Sequence, residues 1–133
     1  MTTIIDVLWL RLHAVLAAFS RKIVAVDPML ISDIGRTAND AFLLRGYLAF
    51  KRHATGDEVA ITIDVQSDGQ QVTIESDACA DDGRVVATGP SAAIPLSESK
   101  ANVEAALEDW RREFERFLLE SEPAVVRATS LLT

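Results

Sequence analysis

The sequence predicts an α+β domain of order α-α-β-β-β-α, a three-stranded antiparallel meander with helices packed on one face and a short helix possible at the C-terminus. Three observations carry this expectation. Asp68-Gly69 and Asp82-Gly83 each separate runs of alternating apolar and polar residues, the signature of consecutive hairpins. Val103, Leu107, Trp110, Phe114 and Phe117 repeat at steps of four and three, which is one face of a helix. The N-terminal stretch Ile4 to Phe19 is also apolar at helical spacing.

With 133 residues, 49% hydrophobic and 25% charged, residues 1–133 are expected to form a single domain able to bury its own core. The first helix starts near Thr3, where Asp6 three positions on favours the positive end of the helix. Ile4, Ile5, Leu8, Trp9, Leu12, Val15, Leu16 and Phe19 form its broad face, and Val7, Leu10, Ala14 and Ala17 a second apolar strip. A helix so apolar around its girth lies between layers or in an oligomer interface. Asp6, His13 and Ser20 form a polar line between them, with His13 expected to be half-buried and hydrogen-bonded. Ile23 to Val26 reads equally as continued helix or as a short β-branched strand, and Asp27-Pro28 ends it in either case.

The second helix is expected over Ser32 or Asp33 to Ala54, with Ile34, Ala38, Ala41, Phe42, Leu44 and Leu48 facing the core and Gly56 just past its end. Leu43, Tyr47 and Phe50, spaced i, i+4, i+7 on the other side, are the expected partner-binding or interface residues. Arg45 falls within the core face of this helix, where a lone charge needs a partner, and is therefore the candidate ligand anchor.

The strands follow at Glu58–Gln66, Gln70–Ala80 and Arg84–Ala92. A two-residue type I′ loop at Asp68-Gly69 would set Val65 opposite Val72 and Ile63 opposite Ile74. The loop at Asp82-Gly83 would set Ala78 opposite Ala87. Gly89-Pro90 makes the third strand an edge or bends it away. The first strand, an edge of Val and Ile without Lys or Pro, calls for a cover: Ile23–Val26 as an added strand, or another subunit. The last helix, capped by Ser97 or Ser99, should lay its stripe on the small residues Ser76, Ala78, Ala80 and Ala87. Pro123 should break it before a short helix within Ala124–Leu132.

The formal net charge of −7 disfavours nucleic-acid and anionic-membrane partners. Residues 57–96 alone carry eight acids and one Arg, so the acidity belongs to the strands and their turns. One cysteine, Cys79, allows no internal disulfide and suits a reducing cytoplasm. The group Asp77, Cys79, Asp81, Asp82 and Gly83 outlines a calcium loop without its closing glutamate, and the hairpin already accounts for those residues. His13 and His53 are the whole histidine supply, and no nucleophile elbow, P-loop or zinc motif is present. Catalytic residues, metal and cofactor are accordingly expected to be none. The expected role is a non-enzymatic protein-interaction domain, homodimeric or bound to a protein partner, in a multi-component bacterial-type system. Its acidic charge and small size resemble the general character of secretion chaperones and immunity proteins. The alternative is a small-ligand or enzymatic domain with a pocket between the first two helices and the sheet.

Overall fold

The computed structural model describes residues 2–37 and 42–133, in the order α1 (Thr2–Val26), β1 (Ile31–Thr37), β2 (Leu44–Lys51), β3 (Glu58–Ser67), β4 (Gln71–Ala80), β5 (Val85–Thr88), β6 (Ala92–Pro95) and α2 (Lys100–Ser130). The class is α+β: an antiparallel sheet with both helices on one face. The sheet runs β1-β2-β3-β4-β5, and β6 pairs with β4 beyond β5. α1 lies over β1 and β2, while α2 lies over β3 to β6 and packs beside α1.

One element departs from expectation. The segment read as a second helix is the antiparallel pair β1–β2, with Ile34 opposite Leu48 and Gly35 opposite Tyr47; the part of that helix falling on residues 38–41 lies outside the described residues. The reason is a period of two. Leu44, Leu48 and Phe50 point inward and are fully buried, whereas Arg45, Tyr47 and Lys51 point outward. Gly46 occupies the fourth inward position, and a Cβ there would lie 2.5 Å from Cζ3 of Trp9. The indole from α1 thus fills the place where β2 lacks a side chain.

The strand Glu58–Ser67 is consequently central, between β2 and β4, and the open edge passes to β1. Ile23–Val26 is the last turn of α1, so it covers no strand. Asp27 closes that helix by accepting from Met29 N at 3.3 Å and from Arg52 Nη2 at 2.6 Å.

The β3–β4 register differs by two residues from that of a type I′ turn: Val65 faces Ile74 and Ile63 faces Ser76. Asp68 accepts from the amides of Gln70 and Gln71 at 2.8 and 2.9 Å, and Gly69 is at φ +88° while Asp68 is not left-handed. A type I′ turn needs positive φ at both central residues, so the loop is longer. A shift of two keeps every side chain on its face, which preserves the inner and outer sets. Ala78 does face Ala87 as expected. Past Gly89-Pro90 the chain leaves β5 and returns as β6 along the other half of β4. This corner is pinned from both layers, since Pro90 O accepts from Ser76 Oγ at 3.0 Å and from Trp110 Nε1 at 3.1 Å.

α2 is capped by Ser99, whose Oγ accepts from Asn102 N. Its stripe Val103, Leu107, Trp110, Phe114, Phe117 and Leu118 is buried on the sheet, with Trp110 stacked on Phe114 at 5.1 Å. Pro123 does not end the helix, which continues to Ser130 without a separate terminal helix. Burial of Val125, Ala128 and Thr129 offsets the donor that Pro123 cannot give to Leu119 O. Arg52 then ties the C-terminal end down, donating to Thr129 O and Leu132 O while paired with Asp27. No described helix is long and apolar enough to cross a membrane.

Candidate interaction surface

The strand alternation redistributes the residues singled out on a helical face. Phe50 is 0% exposed in the core, Tyr47 is half-buried on the outer face of β2, and Leu43 stands at the entry to β2, donating from its amide to Val65 O. Phe50 faces away from Tyr47 and Leu43, because i, i+4, i+7 is a helical spacing and a strand turns positions an odd number of residues apart to opposite faces. Arg45 faces outward instead of into a helix core. Its Nε lies 3.0 Å from Asp64, its cross-strand neighbour, and its guanidinium stands 4.3 Å from the Phe42 ring.

The space between α1 and the sheet, where a ligand pocket was expected, is filled by Leu12, Leu16, Leu48 and Phe50, all fully buried. The groove that does contain Arg45 is an open one of about 440 Å³ on the outer face, bordered by Asp33, Tyr47, Lys51, Glu58 and Thr62. Its cations are matched across the strands, Arg45 by Asp64 and Lys51 by Glu58 at 3.7 Å. Tyr47 lies over Gly35, where a Cβ would meet the phenol ring. Asp77 accepts from Thr62 Oγ1 at 2.7 Å, and Asp82 from Arg84 N at 3.0 Å, so two acids of the supposed calcium loop serve the hairpins. Burial, then Asp77, pushes the Cys79 thiol above its usual pKa, which keeps it protonated and poorly nucleophilic. Among the described residues, no three His, Cys, Asp or Glu side chains gather as metal ligands.

Two features remain unpartnered among the described residues. β1 pairs with β2 on one side only, leaving a seven-residue edge without proline or lysine. Above it, α1 exposes Leu10 (70%), with Val7 (45%), Ala14 and Ala18 farther round the helix, away from β1. The second apolar strip legible in the sequence is therefore largely on the surface. His13 is exposed too, with its ring edge-on to Trp9 at 5.9 Å. Among the described residues, polar contacts hold α1 to β1: Arg36 donates to Asp6 at 3.2 Å and Ser20 Oγ to Ser32 Oγ at 2.8 Å.

On the opposite flank, α1 and α2 meet around Glu108, which accepts from Arg11 at 2.7 Å and Arg111 at 2.6 Å. The hydrogen bond from Arg111, then that from Arg11, holds the Glu108 carboxyl down to a pKa of about 2. Beside it Ile4, Val7, Leu8 and Leu107 floor a shallow cleft of about 220 Å³.

The edge was missed in the sequence because β1 and β2 were read as one helix; two glycines in that segment, Gly35 and Gly46, were the signal against it. No family model matches the chain, and comparison with curated proteins and with solved structures gives no match.

Proposed function

We propose that this chain is a non-enzymatic protein-interaction domain, homodimeric or bound to another protein, with a chaperone, adaptor or immunity-like role in a multi-component bacterial-type system. The observation that carries this reading is the β1 edge. Alternate residues of this seven-residue strand turn backbone donors and acceptors to a side that no described strand covers. Exposed Ile31 lies on it, and exposed Leu10 of α1 lies above. Such an edge takes up another strand readily, with backbone hydrogen bonds giving affinity and neighbouring side chains giving specificity. The acidic charge favours protein over nucleic-acid or membrane partners, and a single thiol suits the reducing cytoplasm. A photo-crosslinking residue at Ile31, in cells of the native host, should yield protein adducts that the same residue at Val85, on the far side of the sheet, does not. Equal adducts at both positions, or none at Ile31, would contradict the reading.

A second reading, small-ligand binding, is favoured by the outer groove with Arg45 and Tyr47. An anionic ligand there must displace Asp64 from Arg45, so Asp64→Asn should tighten binding of a carboxylate or phosphate probe and Arg45→Ala abolish it. Calorimetry that detects no such binding in either variant or the native chain would remove this reading.

A further inference from the structure

The geometry points to a second copy of this chain as the occupant of the β1 edge, paired antiparallel about a two-fold axis beside Ile34. This inference rests on the interaction reading above and specifies its partner. Asp6 is bonded to Arg36 and Ser20 to Ser32, so the midpoint of that helical span, His13, stands over the midpoint of the strand, Ile34. One axis perpendicular to the sheet therefore serves strand and helix together.

The strand sequence selects the register. Centred on Ile34, the pairing sets Ile31 opposite Thr37, Ser32 opposite Arg36 and Asp33 opposite Gly35 of the second copy, and opposes no like charges. Centring on Asp33 or Arg36 would set each charge against its own copy. Centring on Gly35 would place Ile34 against Arg36.

The helices then agree. α1 touches both β1 and β2, with Ser20 and Asp6 reaching the first and Trp9 the second. Strands lie about 4.8 Å apart, so an axis half a spacing outside β1 brings the two α1 helices to about 10 Å, close to the packing distance of helices. Running antiparallel about His13, they bring exposed Leu10 to the turn of Leu16 and Ala17 of the second copy, where the small Ala17 is the outward residue, and Asp6 to the turn of Ser20 and Arg21 of the second copy. A large side chain meets a small one, and opposite charges meet twice. The α1 contact also adds what the strand cannot: seven paired residues alone fall short of the ~1,200 Å² typical of a stable interface.

Sedimentation equilibrium of the full chain at micromolar concentration should give twice 14.5 kDa, about 29 kDa. Leu10→Asp, at an exposed position that leaves the core intact, should weaken the dimer at least about 30-fold with an unchanged circular dichroism spectrum. Arg21→Asp should weaken it as well, and Asp6→Arg combined with Arg21→Asp should restore it. In a Cys79→Ser background, His13→Cys should oxidise to a covalent dimer, because in α1 that position lies against its own copy at the axis. A monomer at 100 µM overturns the inference, as does a dimer that ignores Leu10→Asp and does not cross-link at position 13. Either result leaves the crosslinking at Ile31 to decide separately whether the edge binds a different protein.

Discussion

Two glycines on facing strands show how one residue type serves different ends here. Gly46 makes room for the buried Trp9 ring, which cannot withdraw, whereas Gly35 lies under the phenol of half-buried Tyr47, which can swing toward solvent. Gly46→Ala should therefore cost about 1–3 kcal/mol in chemical denaturation, and Gly35→Ala about 0.5 kcal/mol or less. The same pair explains why the segment was illegible as strands. With glycine at an inward position, the alternation Leu44, Gly46, Leu48, Phe50 is interrupted, while Ile34, Leu44 and Leu48 happen to suit a helix. The missing apolar side chain is supplied from α1, a tertiary fact that no local window contains. Arg45 was misplaced for the same reason, as the strand turns it outward to Asp64. Glu108 gives a residue-scale prediction in pH. Its folded pKa is depressed from 4.5 to about 2, so its contribution is complete above about pH 4.5 and is lost as pH falls toward 2. After allowance for solvent screening of this quarter-exposed carboxylate, the loss should be about 1–2 kcal/mol. Glu108→Gln should flatten that part of the stability–pH curve.

At the scale of elements, α2 was legible because its 4-3-4-3 stripe is long and uninterrupted, and the hairpins because glycine marks each turn. The small floor of Ser76, Ala78 and Ala87 also foretold where large aromatic side chains would pack. Phe114, fully buried and flanked by Trp110 and Phe117, is the centre of that contact. Phe114→Ala should cost about 3–5 kcal/mol by denaturant titration, and Phe114→Asp should leave the chain unfolded. The helix end was less legible, since Pro123 is ordinarily a stop signal and only long-range burial carries α2 past it. Arg52, itself fixed by Asp27, holds that last turn from eighty positions away in sequence through Leu132 O. Arg52→Met should leave the global midpoint lowered and speed amide exchange selectively at residues 125–132, which hydrogen-exchange mass spectrometry resolves.

For the whole molecule, the sheet divides the chain into a covered face and an open one, and α1 sits at the boundary where the covered layer meets the free edge. The sequence marks Glu58–Gln66 as an edge that calls for a cover, from Ile23–Val26 or another subunit; β2 is that cover, and the open edge among the described strands passes one hairpin outward to β1. The claim that β1 is the working edge is tested most directly by amide exchange of Ile31–Thr37 across a range of protein concentrations. Amides pointing away from β2 should exchange fast when dilute and become protected as the protein is concentrated or a partner is added. Exchange that is equally fast under every condition, in a range where sedimentation shows association, would contradict the account.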